Sequence, residues 1–166
     1  MASDRPRRTA WLRGAVAAAK RTAQRVARRV AGRRRRRTPR PSDGAVHVEY
    51  SPRLDGDPDP GEVVWTWVPY EEDATQGKDR PVVVIGRRNG RLVAVPLTSK
   101  PDDREAQISV GTGGWDSQRR ESYARVWRMF EVDPARMRRE GAILDRDRFA
   151  AVVALVDQYH AVRLPD

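Results

Sequence analysis

The sequence contains no cysteine, and its only two histidines are His47 and His160. A chain without cysteine cannot form disulfides or thiolate metal sites, and it has no cysteine nucleophile. Two histidines that lie far apart in the sequence do not predict a histidine-based metal centre or a Ser-His-Asp triad. We therefore predict no metal site and no other cofactor.

Long apolar runs are absent as well, so the sequence predicts no segment that spans a membrane. Arg7-Arg8 is similar to the start of a twin-arginine signal, but the apolar part that follows, residues 14–19, is short and ends at Lys20. We therefore expect no export signal and a cytoplasmic protein.

Charge is distributed unevenly along the chain. Residues 1–44 hold 15 Arg and Lys against 2 acidic residues, a net charge of +13, whereas residues 45–166 hold 18 basic and 21 acidic residues, a net charge of −3. Basic segments attract nucleic acid or anionic lipid through sequence-independent electrostatics. Thirty of the 33 basic residues are Arg, which fits a GC-rich coding bias as well as it fits phosphate binding.

The N-terminal region, residues 1–44, is predicted as a basic arm that is helical or disordered. Apolar residues recur at spacings of three and four over residues 11–31, which predicts a helix there. The run Arg33–Arg37 and the linker Thr38–Ser42 follow. Such a helix contacts nucleic acid or the ribosome, lies on an anionic membrane, or has no specific role. Its apolar face is mostly Ala and Val, which makes it a weak membrane anchor.

Residues 45–60 are predicted as a linker rich in Pro and Asp, with one short edge strand where Val46, Val48 and Tyr50 alternate with polar residues. The folded body is predicted over residues 61–166. Asn89-Gly90 predicts a two-residue hairpin turn, because both residues tolerate positive φ. Asp133-Pro134 predicts the start of a short helix. The predicted strands cover residues 63–68, 81–88, 91–97, 107–110 and 123–132, and the predicted helices cover residues 134–140 and from 145 or 147 to about 162.

The most informative stretch begins with GEVVWTWVPYEEDATQGKDRPVVVIG and continues, after a short turn, with RLVAVPLTS. An apolar strand leads into a polar loop that ends in Arg80-Pro81. Val82–Ile85 is a buried strand, and a third strand ends at Thr98-Ser99. This order resembles the MazF/PemK family of toxin endoribonucleases from toxin–antitoxin pairs, and the resemblance covers roughly residues 61–157.

The resemblance implies a fold that is mainly β with some α. The expected architecture is a small antiparallel SH3-like barrel of the MazF/PemK/CcdB type with a C-terminal helix, preceded by the basic arm. It implies a type II toxin that cuts single-stranded RNA, such as mRNA, sequence-specifically and without metal, leaving 2′,3′-cyclic phosphate and 5′-hydroxyl ends. It also implies a homodimer with RNA bound across the dimer face, and a cognate antitoxin. The alternative is a non-catalytic binding module that acts on gyrase, DNA or the ribosome.

Arg80 and Thr98 are the candidate catalytic residues. A guanidinium at the start of a strand can grip a phosphate oxygen bidentately, and its high pKa favours charge stabilisation or proton delivery over base catalysis. A hydroxyl at the end of a strand can donate to a phosphate oxygen or orient the 2′-OH. The alternatives are an ion pair of Arg80 with the acidic residues 71–73 and a turn-capping role for Thr98. In the resembling family, the Arg of an Arg-Pro pair and a Thr or Ser after a similar strand are catalytic.

Six further residues are candidates for RNA binding. The family uses the loop before the Arg-Pro pair to cover RNA, and a Trp in a Gly-rich loop is suited to base stacking. Those six are Gln76, Gly77, Lys78, Ser99, Trp115 and Arg128. Two departures from the family pattern bear on the site: Thr75 replaces an acidic residue, and Phe130 stands where many members have a functional Arg. Arg128, two residues earlier on the same strand face, is the candidate substitute.

Overall fold

A computed structural model describes the backbone of residues 5–31 and 44–166, and the side chains of residues 10–30, 44–138 and 142–166. The Arg33–Arg37 run and the Thr38–Ser42 linker lie outside the described residues. The elements are α1 (Arg5–Ala31), β1 (Val46–Val48), β2 (Glu62–Pro69), β3 (Gly77–Arg88), β4 (Arg91–Thr98), β5 (Gln107–Gly111), β6 (Ser122–Arg125), β7 (Phe130–Glu131), a 3₁₀ turn (Pro134–Arg136), β8 (Arg138–Ile143), α2 (Arg146–Val156) and β9 (Val162–Arg163).

The long strand β3 organises a curled sheet. One edge of β3 pairs with β4, and the other pairs first with β2 and then with β1. On its far edge β4 pairs with β6 and β7, while β2 pairs with β8. Among the described strands every pairing is antiparallel except that of β1 with β9. This architecture, mainly β with an N-terminal and a C-terminal helix, confirms the predicted fold class.

Local sequence explains two features of β3. The hairpin from β3 to β4 turns at Asn89 and Gly90, whose φ angles are 50° and 79°, and this confirms the predicted two-residue turn. Gly86 allows β1 to approach, because a Cβ there would lie 2.1 Å from the carbonyl oxygen of His47. A side chain at residue 86 would therefore push β1 away from the sheet.

The two strands of this hairpin separate where prolines interrupt them. Pairing between β3 and β4 ends at Val82 and Pro96, and Pro81 precedes that point on β3. Proline has no backbone N–H to continue a ladder. Beyond this point β3 continues along β2, whereas β4 turns to pair with β6. The gap that opens between them is the cleft described below.

Helix α2 closes the main core. Asp145 begins it by accepting hydrogen bonds from the backbone N–H groups of Asp147 and Arg148, as an N-cap should. Phe149, Val152 and Val153 are fully buried against the sheet. A second, smaller core on the other side of the sheet is built by Val64, Val68, Val82, Val84, Leu92, Ala94 and Val132.

Helix α1 packs on α2, with Leu12, Val16 and Ala23 buried in the main core. Within the predicted linker, β1 joins the sheet with Val46 and Val48 buried. A short strand was predicted here, but as an edge strand, whereas β1 lies between β3 and β9 and pairs with both. The division into an arm, a linker and a toxin domain stays a prediction. What the structure adds is that residues 10–30 and 46–48 share the core of the body. No helix in the described part of the chain is both long and apolar enough to cross a membrane.

Five predicted elements were wrong in extent or type. Helix α1 begins at Arg5 rather than residue 11, and β3 begins at Gly77 rather than residue 81. The strand predicted over 123–132 is two strands, which pair with different residues along the same edge of β4. The helix predicted over 134–140 is a 3₁₀ turn followed by β8, whose pairing with the edge of β2 overrides local helix propensity. The last helix ends at Val156 rather than near Val162, because β9 pairs with β1.

Candidate functional site

An open cleft of about 950 Å³ lies between the first half of β3 and the walls formed by the end of β4, the loop after it and strands β5 and β6. The residues that line it combine six cations, five carboxylates and three hydroxyls with a few apolar groups. They are Trp65, Lys78, Asp79, Arg80, Pro81, Leu97, Thr98, Ser99, Lys100, Pro101, Asp102, Asp103, Arg104, Glu105, Gln107, Asp116, Arg120, Ser122 and Arg125.

Arg80 lies on the β3 wall, opposite Thr66 of β2 in the strand register, and is half-buried. Its guanidinium has no hydrogen bond or ion pair with any residue that the structure describes. Burial lowers the pKa of Arg80, and the positive charge of Arg125 lowers it further. Arg80 still carries its charge at neutral pH. A half-buried cation without a carboxylate partner is suited to bind an anion.

Thr98 and Ser99 bring hydroxyls to the opposite side of the gap. Thr98 pairs with Tyr123 of β6, and it lines the same cleft as Arg80 on the wall that separates from β3 after Pro96. Thr98 Oγ1 accepts a hydrogen bond from the backbone N–H of Lys100 at 3.1 Å. This is the predicted turn-capping role, and it leaves the hydroxyl proton free to be donated to another acceptor.

Lys78 and Lys100 add exposed positive charge on the two sides of the gap. The charge of Arg80 lowers the pKa of Lys78, with smaller contributions from burial and from Lys100. The effect on the pKa of Lys78 indicates that Arg80 and Lys100 lie close enough for their charges to act on it. An anion bound between them would relieve this repulsion.

The other cations of the cleft are paired within the protein. Arg125 donates from Nε and Nη2 to the two carboxylate oxygens of Glu105, both at 2.9 Å. Burial alone would raise the pKa of Glu105, but the hydrogen bonds and charge of Arg125 outweigh it, so the pKa of Glu105 is lowered. Arg104 and Arg120 pair with Asp102 and Asp116. Unpaired positive charge in the cleft is therefore concentrated at the gap between β3 and β4.

A family model for the PemK-like, MazF-like toxin of type II toxin–antitoxin systems matches residues 59–160, which is more than half of the chain. The chain belongs to this toxin family. No curated protein matches the chain. Family membership implies a cognate antitoxin as the partner of this toxin. The match covers β2 through α2 and therefore the whole cleft, whereas α1 and β1 precede it.

The loop between β2 and β3 of the toxin keeps two predicted RNA-binding residues away from the cleft. Asp73 accepts hydrogen bonds from the backbone N–H and hydroxyl of Thr75 and from the side-chain amide of Gln76. Gly77 starts β3 beneath the ring of Trp67, since a Cβ at Gly77 would lie 2.6 Å from that ring. Gln76 and Gly77 therefore shape the loop, and neither lines the cleft.

Trp115 lies in the core of the toxin, not on its surface. Only 4% of it is exposed, and its Nε1 donates to Ser122 Oγ at 3.0 Å. In turn, Trp65 Nε1 donates to the carbonyl oxygen of Trp115. The ring of Trp115 is thus not available for base stacking in this structure. The exposed aromatic residues near the cleft are Trp67 and Tyr70, at 43% and 38%.

Arg128 does not line the cleft either. Its guanidinium donates to the carbonyl oxygen of Pro69 and lies 6.0 Å from the centre of the Phe130 ring. Burial lowers the pKa of Arg128. Arg128 thereby ties the turn after β6 to the end of β2, close enough to Arg80 for their charges to interact.

Sequence reasoning found Arg80, Lys78, Thr98 and Ser99 in the cleft but missed the Glu105–Arg125 pair and Lys100 on its other side. Arg125 and Glu105 are twenty residues apart, so no local spacing links them. The sequence did offer one signal for this pair: Arg125 lies in β6, three residues before the candidate Arg128. Among the residues that the structure describes, no group of three His, Asp or Glu side chains is arranged to hold a metal ion.

Proposed function

We propose that this toxin is an endoribonuclease that cleaves single-stranded RNA, such as mRNA, without a metal ion. The observation that carries the proposal is the half-buried guanidinium of Arg80, which faces the cleft without a carboxylate partner among the described residues. Lys78 and Lys100 beside it make the gap between β3 and β4 suited to a phosphodiester. The predicted homodimer stays a prediction.

The proposed reaction forms one bond and breaks one. The 2′ oxygen attacks the adjacent phosphorus as its proton passes to water, and the bond from phosphorus to the 5′ oxygen breaks with its electron pair leaving on that oxygen. A proton then neutralises the 5′ oxygen. The products are a 2′,3′-cyclic phosphate and a 5′-hydroxyl, and no oxidant or further reactant is needed.

Each side chain at the gap has a role in this scheme. Arg80 stabilises the extra negative charge on the phosphate oxygens in the transition state. Thr98, with its hydroxyl proton free, donates to the same phosphate. Lys78 supplies the proton to the 5′ oxygen, a role favoured by the lowering of its pKa by Arg80. Ser99 and Lys100 bind the flanking phosphate.

The test is to incubate the purified toxin with a mixed single-stranded RNA in EDTA and to map the new ends. Wild type is expected to produce 5′-hydroxyl ends. Replacing Arg80 by Ala should slow cleavage by about 10²–10³-fold, because one donor to the developing oxyanion is lost. Its thermal transition should be unchanged, since Arg80 has no described partner to lose. Arg80→Lys keeps the charge without the fork and should recover only part of the rate.

The control is Arg136→Ala, because Arg136 is an exposed arginine outside the cleft with an ion pair to Asp133. Cleavage by Arg80→Ala at the wild-type rate would remove Arg80 from the mechanism. If wild type itself cuts no RNA, the toxin is a non-catalytic binding module, and gyrase supercoiling and ribosome binding become the assays of its target.

A further inference from the structure

Helix α1 lies outside the residues that match the toxin family, and the proposed reaction does not use it. Its inner face is part of the core: Leu12, Val16 and Ala23 are at most 1% exposed. The N-terminal end is held by the ring of Trp11, which meets Tyr50 edge-on at 5.3 Å. The orientation of α1 on the body is therefore fixed by apolar packing, and its opposite face must point to solvent.

The outward face of α1 carries a row of arginines, here called the outer stripe: Arg21, Arg25 and Arg28. All three are exposed. Among the described residues none of them has an ion pair, and α1 contains no acidic residue at all. Like charges one helical turn apart destabilise a helix slightly. A row of exposed arginines without carboxylate partners is suited to bind an external polyanion.

The two flanks of α1 differ. On the flank away from the stripe, Arg13 pairs with Asp166 and Lys20 pairs with Asp157. At the C-terminal end of the helix, Arg29 Nη2 lies 3.5 Å from Asp103 Oδ2, and Asp103 lines the cleft. Arg21, Arg25 and Arg29 follow one another at single helical turns, about 6 Å apart along the axis. The row of positive charge thus leads to the rim of the cleft.

We propose that the outer stripe extends the cleft into a longer track for single-stranded RNA. RNA held at Arg80 crosses the rim beside the ion pair of Arg29 with Asp103, and its phosphates then contact the unpaired Arg25 and Arg21. The stripe supplies affinity without sequence preference, because guanidinium–phosphate contacts do not distinguish bases. This inference rests on the proposed function for the identity of the polyanion.

An anionic membrane is the other surface that basic helices bind, and the packing of α1 argues against it. A helix that lies in a membrane interface buries its apolar face among the lipids. In this toxin that face is already buried against α2 and the core. Only the charged face is left for a partner, which favours a nucleic-acid backbone over a lipid bilayer.

The test measures binding of the full-length toxin to fluorescent 2′-O-methyl RNA, which cannot be cleaved because it has no free 2′-OH. A short oligonucleotide that fills one site and one about three times as long are compared over a range of salt concentrations. The double variant Arg21→Gln and Arg25→Gln is compared with Arg13→Gln and Lys20→Gln, which removes the same charge from the other flank. Glutamine preserves helix propensity, and thermal melting checks that both variants fold.

The stripe variant should bind the long oligonucleotide about tenfold more weakly at low salt, and its log–log salt slope should fall by about 1.4, as expected for two lost phosphate contacts. The advantage of the long over the short oligonucleotide should shrink, while the flank variant keeps it. Equal weakening in both variants, or unchanged binding by the stripe variant, would overturn the inference. A stripe variant that loses only its binding to phosphatidylserine vesicles would overturn it in favour of a membrane. Stripe-dependent binding by a toxin that cuts no RNA would leave the track in place and reject only the nuclease.

Discussion

The cleft and helix α1 are both basic, but they hold their charges by different means. On α1 the arginines are exposed, and helical periodicity alone sets their spacing along the face opposite Leu12 and Val16. In the cleft, Arg80 comes from β3 and Thr98 from the end of β4, so strand register and the separation of two strands set their positions. Net charge along the sequence therefore points to α1, whereas only the fold reveals which cations of the cleft lack a carboxylate partner among the described residues.

In each of the two regions, some cations form ion pairs with carboxylates and others do not. Arg125 in the cleft is occupied by Glu105, as Lys20 on α1 is occupied by Asp157. Arg80 and the outer stripe have no such partner among the described residues. Because a paired cation is already neutralised, the number of basic residues overstates what each region offers to a polyanion. The remaining unpaired cations are the ones to test.

The largest expected effect is on stability, and it concerns the packing of α1 rather than the cleft. Leu12 is fully buried, so Leu12→Ala should lower the free energy of unfolding by about 3 kcal/mol through lost burial and the cavity left behind. Alanine is a better helix former than leucine, so the loss cannot come from helix propensity. Chemical denaturation measures it.

Thr22→Ala on the exposed side of α1 is the matched control and should change stability by less than about 0.5 kcal/mol. If Leu12→Ala is equally silent, α1 is not held on the body in the way described, and the fixed track toward the cleft loses its support.

The next largest effect concerns the ion pair inside the cleft, that of Arg125 with Glu105. Glu105→Gln leaves Arg125 largely buried without its charged partner and should cost about 2 kcal/mol of stability at neutral pH. The folded-state pKa of Glu105 is depressed, so its ionisation contributes stability that is fully present above the ordinary glutamate pKa of 4.5 and is lost as the pH falls through the folded-state pKa. The difference between wild type and variant should therefore be full at pH 7 and shrink in acid.

Denaturation of both proteins across that pH range is the measurement. The exposed pair offers a comparison: Asp102→Asn releases Arg104, whose side chain is 75% exposed, and should cost far less because water replaces the lost partner. A stability difference for Glu105→Gln that does not change with pH would mean that the carboxylate acts through packing instead of charge.

The smallest effect concerns the hydroxyl of Thr98, which lines the same cleft as Arg80. Thr98→Val keeps the shape and removes the donor, so cleavage should fall about tenfold while the melting temperature changes little, since a single exposed hydrogen bond to Lys100 is lost. Initial rates on a short RNA measure it.

Thr112→Val, at an exposed residue outside the cleft, should cut at the wild-type rate. Ser99→Ala distinguishes the two neighbouring hydroxyls. A larger loss from Ser99→Ala than from Thr98→Val would transfer the proposed role from Thr98 to Ser99.

The sequence by itself determined the elements whose cause is local. Four features specify structure within a few residues: the alternation at Val46 and Val48, the turn chemistry of Asn89-Gly90, the three-and-four spacing in α1 and the cap at Asp145. Each was predicted, although Asp147 was an equal candidate for the cap. The short motifs around Arg80-Pro81 and Thr98-Ser99 likewise identified the toxin family, because they keep their order along the chain.

Tertiary structure alone decided what depends on partners distant in sequence. β8 is a strand because it pairs with the edge of β2. Trp115 is buried, and it is held there by hydrogen bonds with Ser122 and Trp65. The separation of β3 from β4 made the cleft, and the ion pair of Arg125 with Glu105 decided which cations stay unpaired. Such contacts join residues that no local spacing relates, so their free energy exists only once the chain has folded.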